Sequence, residues 1–428
     1  PTSIAVIGAS DVQESVGRLA WSSVRRAPGR AVDAVNPRHE TVGGERSYAS
    51  VVDVPDEVGV AVIAVPTRAL AATIDECITK RVRGAIVITA VDEDDLDVAE
   101  LVTNARRNGL RIIGPSSFGI ASPRPETALQ AALVDVTVPA GNVAVSMQSG
   151  TLGASLLRQA ADLDLGLSWF VSLGDKLDVS ANDLLQFWED DEATGVIALY
   201  TESLGNPRKF VRIARRVSRT RPIVSVRTGA ALLDPANATI YEQTGVIEVP
   251  TVPALLDTAR VFATQPLMAG DRVTVISNSR SPTVLAEASL ATAGLTPVPA
   301  PSALSWDATP DDYGAAIEAA LGDDGIDAVL VIYAPPSVHD LNAPGEVIDL
   351  TAAGTTKPVV TVMLGAGDGP LLPGSDVPSF AFPEQAAAVL ARVAAYSAWR
   401  TNEAELDVDE EVPDGIDRSG AAAVIDRM

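Results

Sequence analysis

Short runs of apolar, mostly β-branched residues alternate with amphipathic segments along nearly the whole chain. This alternation is typical of βαβ units, in which helices cover the faces of parallel strands. The run 60–65 is apolar at every position, as expected for a central strand that is buried on both faces. The pattern therefore predicts an α/β protein built on parallel sheets.

The strand-like runs fall into three groups, which are separated by a Pro/Thr-rich connection at 121–139 and a linker at 265–271. The predicted strands are 3–7, 31–35, 60–65, 85–89 and 111–113, then 142–146, 168–171, 196–200 and 223–226, then 272–276, 328–333 and 358–363. Helices are expected to begin at Gly150, Ala181 and Pro207. We predict three sheets in series, with domains at 1–130, 137–265 and 270–400 and an acidic tail or linker at 401–428.

Charge and cysteine content exclude several classes of function. The chain has 32 Lys and Arg against 56 Asp and Glu, a net charge of −24, which repels nucleic acid and anionic membrane surfaces. Its single cysteine, Cys77, cannot form a disulfide within the chain, which favours a reducing, cytoplasmic compartment. No apolar run reaches the roughly 18 residues that a membrane span needs. We therefore expect a cytoplasmic protein with no membrane or nucleic-acid partner.

Only two histidines, His39 and His339, are present in the 428 residues. Histidine is the usual residue for proton transfer and for metal ligation, so the sequence predicts no metal site. We interpret His39 as a solvated loop residue.

Glycine-rich and proline-containing turns follow the predicted strands of the first group. Gly8, Ala9 and Ser10 follow the first strand, and Ser15 and Val16 stand at a helix start, but the G-x-G-x-x-G spacing of dinucleotide folds is absent. The second strand ends in Asn-Pro-Arg at 36–38 rather than in the carboxylate typical of NAD sites. Arg38 there favours a phosphorylated nucleotide, although an ordinary surface arginine beside a turn proline explains it as well.

These turns, with Ile-Ile-Gly-Pro at 112–115, resemble the CoA-binding domain of the NDP-forming (ADP-forming) acyl-CoA synthetases, the superfamily of the succinyl-CoA synthetase α subunit. Segments 148–153, 172–176, 181–185 and 200–210 are similar to the domain that follows in that family. The resemblance implies a Rossmann-like CoA-binding domain followed by two flavodoxin-like, doubly wound parallel-sheet domains.

The resemblance also implies site residues. CoA or acyl-CoA would lie against Gly8, Ala9, Ser10, Ser15, Val16, Pro37, Arg38, Val65, Pro66 and Thr89. Phosphate would bind Ser149, Gly150 and Thr151 at a helix start, where free amide groups attract anions, although a simple helix N-cap is the alternative. Glu202 matches the glutamate that hydrogen-bonds the family's phosphohistidine.

The chain departs from this family where the phosphohistidine loop is expected. Residues 227–244 contain no histidine, and phosphate transfer to Asp234 would need a magnesium-binding carboxylate cluster for which the spacing gives no sign. The ATP-grasp portion, through which ATP and Mg²⁺ would act, is also not found in these residues.

Three functions remain open from the sequence. The favoured one is a regulatory module, a pseudoenzyme that binds CoA or acyl-CoA and is fused to or associated with a protein acyltransferase such as an acetyltransferase. The second is the active α portion of a ligase that forms acyl-CoA, ADP and phosphate from an acid, CoA and ATP with an ATP-grasp subunit. The third is a Rossmann-like protein for another nucleotide. We expect a homo- or hetero-oligomer.

Overall fold

A computed structural model describes residues 3–26, 29–91, 98–233, 236–335 and 342–409. Over these residues the chain forms three sheets, one after another, as the alternation of strands and helices predicts. His339, Asp234 and residues 410–428 lie outside the described residues.

The first sheet has the strand order β3-β4-β2-β1-β5-β6-β7 and is parallel except for the β3–β4 pair. Its strands are β1 (Ser3–Ile7), β2 (Ala31–Val35), β3 (Thr41–Val42), β4 (Glu45–Tyr48), β5 (Val60–Ile63), β6 (Gly84–Val87) and β7 (Arg111–Ile113). Its helices are α1 (Val16–Arg25), α2 (Thr67–Thr79) and α3 (Val98–Arg107). The order β4-β2-β1-β5-β6-β7 is that of a Rossmann sheet, which confirms the predicted fold class of this unit.

The second sheet has the order β14-β13-β12-β10-β11-β8-β9. Its strands are β8 (Gly119–Ser122), β9 (Leu129–Gln130), β10 (Ala140–Met147), β11 (Leu167–Ser172), β12 (Val196–Thr201), β13 (Ile223–Arg227) and β14 (Ile247–Glu248). Its helices are α4 (Gly150–Asp162), α5 (Ala181–Asp190), α6 (Pro207–Ser218), α7 (Gly229–Leu233), α8 (Ala236–Thr244) and α9 (Val252–Thr264). The five parallel strands follow the flavodoxin order, and three helices begin at the predicted residues.

The structure differs from the predicted boundary between the first two units. Residues 119–130 were expected in the first domain, but β8 and β9 belong to the second sheet, where β8 pairs antiparallel with β11. The pairing satisfies backbone groups that an exposed edge strand would leave open. The chain thus crosses to the second sheet before the predicted boundary.

The third sheet has the order β16-β15-β17-β18-β20-β19, again the flavodoxin arrangement with a short antiparallel strand at one edge. Its strands are β15 (Arg272–Ser277), β16 (Thr296–Val298), β17 (Ala328–Tyr333), β18 (Val359–Met363), β19 (Gly369–Pro370) and β20 (Pro378–Ser379). Its helices are α10 (Arg280–Thr292), α11 (Pro310–Leu321), α12 (Asn342–Ala352) and α13 (Pro383–Asp409).

Helix α13 extends beyond the predicted start of the acidic tail at residue 401. The Glu403 carboxylate is buried and accepts hydrogen bonds from Arg215 of α6 (2.9 Å) and from Arg219, the C-cap that follows α6 (3.1 Å), and the Tyr396 hydroxyl donates to the Ser218 carbonyl. These bonds fasten the last helix to the second unit. Residues 401–409 are therefore helical rather than a linker, because one of their carboxylates is neutralised by two arginines.

The first and second units share a hydrophobic core. Val6 and Ile88 of the first unit belong to the same buried cluster as Leu185, Trp188 and Phe210 of the second. Burying a large apolar side chain of this kind stabilises the fold by about 1.5–3 kcal/mol. This shared core holds the two sheets together as one packed body and fixes their position relative to each other.

Cys77 lies fully buried on α2, and burial raises the pKa of its thiol to about 12. The side chain belongs to a buried apolar cluster of the first unit. No helix in the described part of the chain has both the length and the apolar character needed to cross a membrane. Among the described residues, no group of three or more His, Cys, Asp or Glu side chains is arranged to hold a metal ion.

Candidate functional site

A cavity of about 830 Å³ opens at the carboxyl ends of β1, β2, β5 and β6. Two glycines allow the backbone to form it. Gly8 has a φ of +92°, and a Cβ there would lie 2.3 Å from the Ala64 carbonyl oxygen. A Cβ on Gly17 would lie 2.0 Å from the Gly8 carbonyl oxygen, so α1 can approach β1 only because residue 17 has no side chain.

Nine of the ten residues proposed to contact CoA line this single cavity; they are Gly8, Ser10, Ser15, Val16, Pro37, Arg38, Val65, Pro66 and Thr89. Ala9 does not line it, because its side chain is fully buried in the core beneath the turn, where its carbonyl accepts a hydrogen bond from Asn36 (2.7 Å). The Thr89 hydroxyl donates to the Val65 carbonyl (2.6 Å) and joins two of the strand ends. Contact of these residues with CoA stays a prediction.

Three titratable residues of the cavity had not been assigned to the site from the sequence. Arg68 and Glu76 lie two helical turns apart on the cavity side of α2, and His39 is an exposed loop residue, as interpreted from the sequence, which also lines the cavity. A helical spacing of four over 68, 72 and 76 could have indicated the first two. No described acidic side chain forms an ion pair with Arg38 or Arg68, so both guanidinium groups remain available to an anion.

A second cluster lies at the carboxyl ends of β10, β11 and β12. Strand β10 stands between the other two, and the chain leaves these strands toward opposite sides of the sheet, which is where doubly wound folds bind ligands. Helix α4 begins at this point, and the Ser149 side chain makes no capping bond to it. The simple N-cap alternative therefore lacks its hydrogen bond. The amides of Gly150 and Thr151 lie in the first turn, where an anion is favoured.

Gln148, which directly precedes Ser149, holds the cluster together. Its Oε1 accepts hydrogen bonds from the Glu202 amide (2.9 Å), the Ser203 amide (3.2 Å) and the Lys176 ammonium (3.3 Å). The Lys176 ammonium also donates to the Ser203 carbonyl (2.8 Å). Burial lowers the pKa of Lys176, and the nearby Glu202 carboxylate opposes this shift only in part. The cluster thus presents a fixed cation beside the start of α4.

Asp178 ties the loop that carries Lys176 to the first unit. Its buried carboxylate accepts hydrogen bonds from the Ile112 amide (2.7 Å), from Arg111 (3.0 Å) and from Arg106. Burial alone would raise the pKa of Asp178, but the bonds from Arg111, Ile112 and Arg106 outweigh it and hold the pKa below its usual value. The position of Lys176 is thereby coupled to β7 of the first sheet.

Glu202 is exposed and lies beside Lys176 rather than beside a histidine. His39 lies at the first cavity, and His339 lies outside the described residues. At the end of β13, Arg227 donates a hydrogen bond to Glu248 (2.8 Å) and its guanidinium lies 5.3 Å from the centre of the Tyr241 ring. Residues 227–244 are the segment in which the family's phosphohistidine loop was expected. In the described part of this segment, the first residue is a buried arginine that forms an ion pair with Glu248.

Comparison with known proteins identifies the family of this chain. Residues 2–123 match the model of a CoA binding domain, and residues 140–262 match that of a succinyl-CoA ligase like flavodoxin domain. The α subunit of acetate–CoA ligase [ADP-forming] II from Pyrococcus furiosus is 35% identical over 305 residues, which cover 67% of this chain and 66% of that subunit. The chain belongs to the NDP-forming (ADP-forming) acyl-CoA synthetase family. The predicted resemblance is thereby confirmed.

Other members of the acyl-CoA synthetase family match in the same way. An ADP-forming acetate–CoA ligase from Methanocaldococcus jannaschii is 32% identical over 67% of this chain and 43% of its own length. The chain thus spans less than two thirds of these two curated relatives. A dinucleotide-forming acetyl-coenzyme A synthetase 1 from Ca. Korarchaeum cryptofilum, solved in complex with phosphate and ADP, superposes with a TM-score of 0.85. It is 28% identical, and the match covers 95% of this chain and 97% of that one.

These relatives favour the ligase interpretation over the regulatory module that the sequence alone led us to favour. Both curated relatives are named as ADP-forming ligases, and neither name refers to an acyltransferase. The synthetase fold and its CoA-binding domain are shared throughout the two matched regions.

Proposed function

We propose that the chain is the α portion of an ADP-forming acyl-CoA synthetase and that it carries the exchange of an acyl group between phosphate and CoA. An ATP-grasp subunit or domain would supply the chemistry of ATP and Mg²⁺. The observation that carries the proposal is the pair of sites at the carboxyl edges of two sheets that share one core. The proposal takes its substrates from the names of the relatives, which are acetate–CoA ligases.

Each site would bind a different part of the reactants. The first cavity has the size for a nucleotide, and Arg38 and Arg68 there would neutralise phosphate groups of CoA. The start of α4 and the Lys176 ammonium would bind the transferable phosphate. In the exchange, the CoA thiolate attacks the acyl carbonyl, a C–S bond forms, the C–O bond to phosphate breaks, and phosphate leaves with the electron pair.

This half of the ligase reaction needs no phosphorylated side chain. It therefore accommodates the lack of a histidine in residues 227–244, whereas a phosphoryl relay from ATP would require an acceptor. Glu202, the match to the family's phosphohistidine partner, would here balance the charge of Lys176 instead.

The exchange can be measured in reverse with this chain alone. We expect inorganic phosphate to release free CoA from acetyl-CoA, with the thiol detected by a chromogenic disulfide and acetyl phosphate trapped by hydroxylamine. Omission of phosphate and replacement by sulfate are the controls. If CoA binds in calorimetry but phosphate releases no thiol from either acetyl-CoA or propionyl-CoA, the exchange activity is excluded.

Replacing Arg38 by alanine should weaken CoA binding about tenfold, which corresponds to about 1.4 kcal/mol. We expect a smaller loss for a CoA analogue that lacks one phosphate group, because less charge is left unpaired. Arg83→Ala is the matched control, since Arg83 is exposed at the opposite, amino end of β6. Titration calorimetry with CoA at two salt concentrations measures the affinity of both variants. Equal losses in the two variants would show that only the overall charge matters.

A CoA-binding regulatory module remains the second candidate, and the absence of histidine from 227–244 is the observation that favours it. It predicts that CoA and acetyl-CoA bind in calorimetry while the phosphate-dependent release of thiol stays at background. The two candidates are thus separated by the same pair of measurements.

A further inference from the structure

Lysine is scarce in this chain. The sequence contains four lysines, Lys80, Lys176, Lys209 and Lys357, against 28 arginines. An arginine side chain is a poor nucleophile because it stays protonated, whereas an unprotonated lysine amine attacks acyl donors readily. Each lysine is thus a distinct potential target for the acyl group that the proposed reaction handles.

One of the four lysines lies at the second site. The Lys176 amine is held within 3.3 Å of Gln148 Oε1, one residue before the N-cap of α4, and within 2.8 Å of the Ser203 carbonyl at the end of β12. Both acceptors lie at the carboxyl edge of the second sheet, where α4 begins. An acyl phosphate bound there would carry its carbonyl carbon next to the phosphate and hence near this amine.

The other three lysines lack this combination of features. Lys80 donates to the Val54 carbonyl, Lys209 pairs with Asp183 at 3.1 Å, and Lys357 donates to the Asp323 carbonyl at 2.7 Å. None of them lines the first cavity or contacts the Gln148 cluster. They therefore serve as internal references for the reactivity of Lys176.

We propose that Lys176 is a site of self-acylation, which accepts the acyl group of a short-chain acyl phosphate or acyl-CoA bound at the second site. The inference rests on the proposed function for the position of the acyl donor. It depends on the placement of the amine, and the lowered pKa of Lys176 supports it by increasing the unprotonated fraction at neutral pH.

The chemical step balances without a further reactant. The unprotonated Nζ attacks the carbonyl carbon, and a C–N bond forms. The C–O bond to phosphate, or the C–S bond to CoA, then breaks, and the leaving group departs with the electron pair. The surplus proton of the nitrogen passes to water, and the product is an amide. An acylated Lys176 is neutral and keeps one N–H, so it cannot donate to both Gln148 and Ser203.

This modification would limit the exchange reaction. The second site loses its cation, and the added acyl group occupies space at the start of α4. Acyl donor that accumulates without CoA to accept it would thus slow the protein that produces it. The groups that face Lys176 from the neighbouring elements are Gln148, Glu202 and Ser203, and Glu202 is the one that carries a charge.

The experiment incubates the full chain with acetyl phosphate in one arm and acetyl-CoA in the other, and measures acetylation of all four lysines by peptide mass spectrometry. We expect Lys176 to react about tenfold faster than the other three, because a donor bound at the start of α4 is held beside its amine. In the urea-unfolded chain the four rates should converge. Equal rates in the native chain, or a preference for Lys176 that survives unfolding, would overturn the proposal.

Two variants test the environment of the amine. Glu202→Gln removes the charge that raises the pKa of Lys176, so a larger fraction of the amine is unprotonated and its acetylation should be faster than in the unmodified chain. Asp183→Asn removes the equivalent partner of Lys209 and should leave the Lys176 rate unchanged. Slower acetylation in Glu202→Gln would contradict the proposal. Phosphate-dependent thiol release is followed in the same samples, so a failure of the exchange is seen separately from a failure of acylation.

Discussion

Replacing Gly17 by alanine should weaken CoA binding about a hundredfold, a loss of about 2.7 kcal/mol. The new Cβ would lie 2.0 Å from the Gly8 carbonyl oxygen, a contact that neither backbone can tolerate without moving. Helix α1 would shift away from β1 and carry Ser15 and Val16, two residues of the cavity wall, with it. The effect runs against helix propensity, since alanine in a helix interior is ordinarily about 1 kcal/mol better than glycine.

Titration calorimetry with CoA measures this loss, and circular dichroism shows whether the fold survives. Gly367→Ala is the matched control, because a Cβ at Gly367 meets no atom within 4 Å. Its CoA affinity should equal that of the unmodified chain. Should Gly17→Ala keep full CoA affinity with an intact fold, the cavity at β1 and β2 would not be the CoA site.

Much of the fold was predictable because burial and strand periodicity are local properties. The strands β1, β2 and β7 have the predicted bounds, and α4, α5 and α6 begin at the predicted residues. The two short strands β8 and β9 were not predicted, because β8 pairs with β11, which is about 50 residues away in the sequence, and β9 joins the sheet only through β8. The helical state of 401–409 was not predicted, since Arg215 and Arg219, which neutralise Glu403, lie in and directly after α6, far away in the sequence.

The candidate sites show the same division between local and distant signals. Turn residues such as Gly8 and Arg38 follow strands, and the Rossmann order brings strand ends together, so the sequence located most of the first cavity. Lys176 is in a segment that resembles the family and Asp178 lies just beyond it, but neither had an assigned role. Their partners lie on β7 and directly after β10 and β12, and only the folded sheet places those strand ends against the loop after β11.

The chemistry of the second site follows from its missing histidine. A carboxylate such as Glu202 would stabilise a phosphorylated imidazole, but here its nearest charged partner is Lys176. The opposite charges of Glu202 and Lys176 compensate each other at the carboxyl edge of the second sheet when no anion is bound. A phosphate at the start of α4 would then compete with Glu202 for the ammonium, so its affinity depends on a charge balance rather than on a covalent carrier.

Replacing Asp178 by alanine should lower the free energy of unfolding by about 3 kcal/mol, because it leaves two guanidinium groups and a buried amide without their shared acceptor. This loss of stability is at the low end of the range for breaking a buried ion pair, because the side chains of Arg106 and Arg111 are each about half exposed. Asp135→Ala is the control. It removes another ion pair, with Arg26, but Asp135 is 92% exposed, so the change should stay below about 0.5 kcal/mol.

The pH dependence of this loss distinguishes the ion pairs from simple packing. The pKa of Asp178 is lowered by folding, so its contribution to stability is complete above the unfolded pKa of about 3.9 and disappears as the pH falls through the lower folded value. Urea unfolding of the native chain and of Asp178→Ala should therefore differ most at neutral pH and converge below about pH 4. A difference that stays constant down to pH 3 would assign the loss to packing. Convergence would show that an ionised Asp178 joins the loop of Lys176 to β7, and hence the phosphate site to the CoA-binding unit.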